Sequence, residues 1–231
     1  MNATCWCVIP AAGRGARFGG GVPKQLVEVG GRSILLHTLD ALLSHPRIAG
    51  AMVATMPGDV RWPVIPTEWR GKPVLTCAGG ASRAASVANA LAALPVEAAQ
   101  DDAVFVHDAA RPNLAHADLD ALFDALSAHP AGAILAAPVR DTLKRADDAG
   151  DIAATVPRGG LWRAFTPQAF PRGALAEALA DAAVRGIEVT DEAMAMERIG
   201  VRARLVEGRE DNFKITTRAD LARFEFEVSQ R

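Results

Sequence analysis

Short apolar runs alternate along the chain with segments whose apolar positions recur at helical spacing, the pattern of strands and amphipathic helices laid down in turn. The runs predict strands at Cys5–Pro10, Ala51–Ala54, Val74–Cys77, Ala103–His107, Gly132–Ala137 and Arg202–Val206. Leu35, Leu39 and Leu42 fall at i, i+4, i+7 behind Ser33, which predicts a capped helix. Val87, Leu91 and Leu94 repeat that spacing, and Leu119, Leu122, Phe123 and Leu126 fill one face of a third helix. Later helices are expected from Gly173 to Arg185 before Gly186, from about Asp191 to a stop at Gly200, and after Thr217 with Leu221, Phe224 and Val228 inward. Strands and helices in alternation make an α/β fold, a parallel-type sheet covered on both faces.

One stretch breaks the rhythm. From Val139 to Val156 the chain reads as two short strands around the polar turn Asp147–Asp151. A hairpin there leaves the main layer as an arm and, being marginal alone in water, has to pack on something. A second subunit and the hairpin's own domain are both open as that surface. No repeat or low-complexity tract occurs, so residues 1–231 are expected to form one domain, with 139–157 as the arm.

Composition narrows the class. Half of the 231 residues are hydrophobic, enough for a sizeable core and against disorder. The 25 basic and 27 acidic residues leave a formal charge of −2 with no basic stripe, which argues against nucleic acid as the main partner. Three cysteines, Cys5, Cys7 and Cys77, suit a reducing cytoplasm rather than a disulfide framework. Cys5 and Cys7 share one strand face and, with no histidine cluster nearby, read as core residues rather than metal ligands. The first residues carry no basic region before an apolar run, so no signal peptide is expected. No apolar stretch approaches the roughly 20 residues of a membrane helix.

The candidate chemistry begins where the first strand ends. Pro10-Ala11-Ala12-Gly13-Arg14-Gly15-Ala16-Arg17 is built of small residues that let backbone N–H groups approach a phosphate, and Gly19–Gly21 and Lys24 follow. It is not a Walker loop, which needs G-x-x-x-x-G-K-[ST]. A dinucleotide fingerprint fails as well, because its third glycine would stand at residue 18, which is Phe. Arg17 and Lys24 aimed at a phosphate under attack would stabilise charge gathering there; one such pair near ~4 Å is worth about 4 kcal/mol at an effective dielectric of 20. Arg14 reads as a solvated surface charge.

Further motifs follow in order: Gly79-Gly80-Ala81-Ser82-Arg83 with Ser86-Val87, His107-Asp108-Ala109-Ala110-Arg111-Pro112, Pro138-Val139-Arg140-Asp141-Thr142, Gly160-Leu161-Trp162, Thr166-Pro167-Gln168, Thr190-Asp191-Glu192-Ala193 and Asp211-Asn212-Phe213-Lys214-Ile215-Thr216. From about residue 8 to 228 this set resembles the 2-C-methyl-D-erythritol 4-phosphate cytidylyltransferases, CTP-using enzymes of the non-mevalonate isoprenoid pathway. The resemblance implies a three-layer Rossmann-like nucleotidyltransferase fold with a mostly parallel central sheet and a protruding β-hairpin arm. It implies a homodimer through that arm, and Mg²⁺ or another divalent cation as cofactor. It assigns Arg17 and Lys24 to transition-state stabilisation, and Pro10, Ala11, Ala12, Gly13, Gly15, Gly79, Gly80, Arg83, Ser86 and Asp108 to the nucleotide, with Asp108 also the metal carboxylate. Arg158, Lys214, Arg111, Thr142, Thr166, Thr190 and Asp191 would position the acceptor, 2-C-methyl-D-erythritol 4-phosphate, with Thr142 and Arg158 serving the neighbour's site. The blander readings of Ser86 and Asp108 are a helix-cap hydroxyl and a turn-capping carboxylate; His107 reads as structural. Ala90 departs from the glycine the pattern carries there, and Asp59–Gly71 matches no motif. A ribitol 5-phosphate type of cytidylyltransferase shares the loop and fold and differs at the acceptor contacts. A non-catalytic nucleotide-binding module would need the glycines but not Arg17, Lys24, Asp108 and Lys214 together.

Overall fold

In the computed structural model, residues 5–13, 18, 22–56, 58 and 65–230 are described. The central strand β1 (Cys5–Pro10) is where the chain starts building its core. Its residues alternate between two apolar layers: Cys5, Cys7 and Ile9 face one, Val8 the other. Both cysteines are free and buried, and burial pushes their thiols up. They are core residues, as their spacing predicted.

Two short strands paired as one ribbon, β2 (Glu28–Val29) and β3 (Arg32–Ser33), lead into α1 (Ile34–Leu43), and β4 (Ile48–Thr55) then pairs parallel to β1. β5 (Glu68–Trp69) turns onto β6 (Lys72–Ala78), which pairs parallel to β4 and leads to α2 (Arg83–Ala93). β7 (Ala103–Val106) returns to the other side of β1, also parallel, before α3 (His116–Ala128) and β8 (Ala133–Pro138). After the arm strands β9 (Leu143–Ala146) and β10 (Ile152–Val156) come β11 (Trp162–Pro171), α4 (Arg172–Val184), α5 (Glu192–Arg198), β12 (Arg204–Glu207) and α6 (Arg218–Ser229). The sheet has eight strands in the order β12-β8-β11-β7-β1-β4-β6-β5. Strand order reverses between β1 and β7, so the crevice beyond their carboxyl ends is the place for a ligand in a doubly wound sheet.

One face of the sheet packs on α1 and α3 through Leu35, Leu39, Leu42, Leu119, Leu122 and Phe123. The other packs on α2, α4 and α5 through Val87, Leu91, Leu175, Leu179 and Met196. Each such fully buried side chain contributes about 1.5–3 kcal/mol relative to exposure. A smaller cluster of Phe18, Ile34, Ile215, Leu221 and Phe224 seats α6 against the segment after β1. Ser33 caps α1 as expected, its hydroxyl accepting from Leu36 N–H, and Thr217 with Asp220 forms a capping box on α6. Ala90 is fully buried in α2, where alanine suits the helix better than the glycine of the family pattern.

Besides the two-residue strands β2, β3 and β5, the element missing from the sequence pattern is the long strand β11. It runs antiparallel between β7 and β8, and its pairing with β8 is irregular between Ala164 and Gln168. Pro167 falls within that irregularity, and an internal proline with polar Thr166 and Gln168 beside it hides a strand from any reading of apolar runs. The hairpin is present: β9 and β10 pair with each other as a separate two-stranded ribbon whose residues are mostly exposed. Of the stretch Asp59–Gly71, residues 65–71 form β5 and its turn, with Trp69 Nε1 donating to Asp40; residues 59–64, with Trp62, lie outside the described residues. No helix among the described residues is long and apolar enough to cross a membrane.

Candidate functional site

A cleft of about 660 Å³ opens at the carboxyl ends of β1, β6 and β7. Its walls include Pro10, Ala11, Ala12 and Gly13 after β1, Gly80, Arg83 and Ser86 after β6, Asp108 after β7, and Lys24 and Lys214. Gly15 and Arg17, with Arg14, lie outside the described residues.

The loop after β1 is tied down at its carbonyls. Ala11 N–H donates to Ala54 O at 2.9 Å, continuing the β1–β4 ladder for one residue. The buried amide of Gln25 donates to Ala11 O at 2.6 Å and to Gly13 O at 3.0 Å. Gln25 thus shapes the loop without being part of the small-residue pattern that revealed it. Lys24, one residue before, reaches across the cleft wall to donate to Ile215 O at 2.8 Å.

The glycine pair after β6 is demanded by space. A Cβ on Gly79 would stand 2.3 Å from Ala12 Cβ and 3.0 Å from Thr55 O. One on Gly80 would stand 2.4 Å from Ala85 Cβ. Gly79 N–H donates to Thr55 O at 2.7 Å, tying the turn to the end of β4, and Gly80 N–H donates to Ser86 Oγ at 3.0 Å, tying it to α2. Ser86 is neither a cap nor a surface hydroxyl: it is buried in α2, bonded to Ser82 O and Gly80 N–H. The helix cap is Ser82, which accepts from Ala85 N–H. Gly79→Ala is expected to cost about 1–3 kcal/mol of stability from the forced overlap, read by urea denaturation. An unchanged midpoint would mean that the loops part freely.

Asp108 is the hub. Oδ1 accepts from Arg83 Nε at 3.1 Å, while Oδ2 meets Lys214 Nζ at 2.9 Å and Arg111 Nε at 3.4 Å. Burial alone would raise its carboxyl; the three cations outweigh burial and hold it well below the usual carboxylate range. Arg83 turns its other end to Glu192, Nη1 to Oε1 at 2.6 Å and Nη2 to Oε2 at 3.0 Å. Two carboxylates therefore face three cations, and the cluster carries an excess positive charge suited to an anionic ligand.

Behind Asp108 runs a chain of hydrogen bonds whose direction its members dictate. His107 Nε2 lies 2.9 Å from Arg111 O, a pure acceptor, so that nitrogen carries the proton. Nδ1 then accepts from Thr166 Oγ1 at 3.0 Å, and Thr166 Oγ1 accepts from Asp108 N–H at 3.1 Å. Burial, first among several influences, lowers His107 from the usual 6.5 to about 4, so the ring is neutral at pH 7 and spent on holding the loop. Between those values the folded chain binds fewer protons at this site than the unfolded chain, so stability rises with pH there and falls as pH drops. At roughly 1.4 kcal/mol per pH unit, His107 should remove about 3 kcal/mol between pH 6.5 and 4. His107→Gln should flatten that part of the stability profile; an equally steep variant contradicts the assignment.

The remaining expected residues fall into two groups. Arg111 is mostly buried, donates to Asn212 O at 2.7 Å and lies over the Phe165 ring, beside the cleft rather than lining it. Thr166 and Asp191 are supports: Thr166 as above, Asp191 as the cap of α5, accepting from Met194 N–H and from Gln168 Nε2. Thr190 is exposed beside Met194. Thr142 is exposed on the arm and Arg158 directly after it, neither lining this chain's cleft, with Arg158 Nη1 donating to Arg140 O. The pattern of motifs passed over Gln25, Gln168 and Glu192 as site residues. Gln168 and Glu192 had a signal, each lying inside a motif, Thr166–Gln168 and Thr190–Ala193, and nothing in the spacing of Glu192 announces a partner 109 positions away.

No group of three or more His, Cys, Asp or Glu among the described residues could hold a metal ion. Asp108 is the one carboxylate lining the cleft among them. That donor set does not fit a metal caged by protein, but it fits Mg²⁺ arriving with a triphosphate, since Mg²⁺ takes one or two carboxylates and fills its shell with phosphate oxygens and water.

The family described as 2-C-methyl-D-erythritol 4-phosphate cytidylyltransferase matches residues 5–230. A relative of that name from Stenotrophomonas maltophilia (strain R551-3) is 63% identical over 231 residues, covering 100% of this chain and 99% of the relative. Another from Xanthomonas axonopodis pv. citri (strain 306) is 61% identical over 231 residues, covering 100% and 86%. Among solved structures, a 4-diphosphocytidyl-2C-methyl-D-erythritol synthase superposes with a TM-score of 0.84 at 37% identity, covering 99% of each chain. The 2-C-methyl-D-erythritol 4-phosphate cytidylyltransferase from Thermus thermophilus gives 0.80 at 33%, covering 98% of this chain and 99% of that one.

Proposed function

This chain belongs to the 2-C-methyl-D-erythritol 4-phosphate cytidylyltransferase family, and we propose that the cleft around Asp108 is where it carries out that reaction. It transfers CMP from CTP to 2-C-methyl-D-erythritol 4-phosphate, giving 4-diphosphocytidyl-2-C-methyl-D-erythritol and pyrophosphate. An acceptor phosphate oxygen forms a bond to the α-phosphorus of CTP while the bond to the β-phosphate bridging oxygen breaks. A phosphate monoester has its second pKa near about 6, so the attacking oxygen is already anionic at pH 7 and needs no general base. His107, neutral and engaged on both nitrogens, supplies none. The protein's work is placement and charge stabilisation.

The observation that carries this reading is the convergence at Asp108. Lys214 and Arg83 meet one carboxylate from opposite sides, and Lys24 is tied to Ile215, the residue after Lys214. Lys24 and, from the sequence motif, Arg17 are assigned to the triphosphate. Pro10 to Gly13, Gly79, Gly80, Arg83 and Ser86 are assigned to the nucleotide, with Gly15 added from the motif. Lys214, with Arg111 beside it, serves the acceptor phosphate, and Thr166, Thr190 and Asp191 shape that side. Mg²⁺ would be held by Asp108 and the phosphates, and when bound it neutralises charge on the triphosphate. The exposed arm, with Ile152, Leu161 and Trp162 on its surface and at its base, suits a homodimer in which Thr142 and Arg158 complete a neighbour's acceptor site. Such an enzyme works in the cytoplasm, where CTP is made. Lys214→Ala should raise KM for the acceptor about tenfold or more while KM for CTP changes little, as loss of a charged hydrogen bond to one substrate requires. An effect confined to CTP would contradict the assignment.

A further inference from the structure

Glu192 does not line the cleft, yet it is the most deeply buried charge in the cluster, with a side chain 1% exposed. It stands at the first position of α5, directly after the Asp191 cap. Its two oxygens take Nη1 and Nη2 of Arg83, while Nε of the same guanidinium is held by Asp108. A guanidinium is planar, so three bonds from three nitrogens to two fixed carboxylates leave it no rotation. The remaining N–H groups on Nη1 and Nη2 are thereby set in one plane at the cleft wall, where Arg83 is 27% exposed on its side chain.

Stability alone does not account for this arrangement. Burying a carboxylate is costly, and a buried ion pair is often no better for stability than an apolar pair of the same volume. Burial does push the Glu192 carboxyl up against the pull of Arg83. What the pair supplies that an apolar pair would not is a cation of fixed orientation.

We infer that Glu192 is a positioning residue for the nucleotide: it holds the Arg83 guanidinium in the plane that receives phosphate or base, and keeps it from collapsing onto Asp108. The inference rests on the reading of the cleft as the CTP site. Without Glu192, Arg83 retains a single carboxylate partner and is free to turn toward Asp108 or solvent.

The test is a double-mutant cycle of Glu192→Gln and Arg83→Met, read in KM for CTP, in KM for the acceptor, and in CTP affinity by calorimetry with no acceptor present. Glu192→Gln keeps the side chain's shape and should raise KM and Kd for CTP about tenfold or more, with KM for the acceptor moving less than about threefold. In the Arg83→Met background the same change should add less than about twofold, because its target is gone. If Glu192→Gln fails to fold, Glu192→Asp takes its place, as it keeps the charge and shortens the reach; if Arg83→Met fails, Arg83→Gln takes its place, as it likewise removes the guanidinium. Equal losses with and without Arg83, or equal losses for both substrates, would overturn the inference. Wild-type protein that binds CTP but releases no pyrophosphate with the acceptor would instead overturn the assigned reaction, leaving the calorimetric cycle to decide Glu192.

Discussion

Lys24→Ala should lower kcat about 10²–10³-fold while weakening CTP binding less than about tenfold, the pattern of a charge used more in the transition state than in the ground state. Attack on the α-phosphorus spreads negative charge over the equatorial oxygens and the departing pyrophosphate, and a lysine at the mouth of the loop after β1 meets that charge. Lys24 also bonds Ile215 O, so part of any loss could come from loosening the segment that carries Lys214. Steady-state kinetics paired with calorimetry separate the two: a loosened segment raises KM for the acceptor, whereas lost stabilisation falls on kcat. Arg17→Ala should behave like Lys24→Ala. Near-normal turnover in both variants would remove the loop from the chemistry.

The second large effect is expected at Asp108. Asp108→Asn preserves shape but removes the charge on which Arg83, Lys214 and Arg111 all converge. Arg83 then keeps Glu192, while Lys214 and Arg111 lose the carboxylate they meet, and deleting one member of a buried charge cluster costs on the order of 3–5 kcal/mol. Lys214, 37% exposed on its side chain, can swing into solvent and relieve part of that, which places the loss toward the lower end. Catalysis suffers more than stability, since the same change releases the groups assigned to both substrates: kcat/KM should fall at least about 10²-fold at a pH where the variant remains folded. A variant with intact kcat/KM would show that the cluster is structural only.

The layers of the fold were legible because periodicity reports burial directly. Strand β1 alternates between two cores and α1, α2 and α3 carry their inward stripes as read from the chain. Strand β11 was not legible, because Pro167 interrupts it and its polar residues are buried by partners distant in sequence: Thr166 by His107, Gln168 by Asp191 and Ala193. The site shows the same division. The glycines at 79 and 80 entered as part of a nucleotide-site motif, and the structure adds a packing reason, since a side chain there would overlap Ala12 and Ala85. Asp108 announced itself as an acid at a strand end, but its engagement with three cations depends on residues brought from positions 83, 111 and 214. Glu192 and Gln25 act through partners that no local spacing encodes, and so became visible only in three dimensions.

The central claim is that this cleft joins CTP to one particular sugar-alcohol phosphate. It is tested most directly by pyrophosphate release from CTP and Mg²⁺ with 2-C-methyl-D-erythritol 4-phosphate, with ribitol 5-phosphate, and with no acceptor. Release should be rapid with the first, at least about 10²-fold slower with ribitol 5-phosphate, the discrimination that unpaired polar contacts at an acceptor site provide, and no faster with no acceptor. Equal or faster release with ribitol 5-phosphate would contradict it.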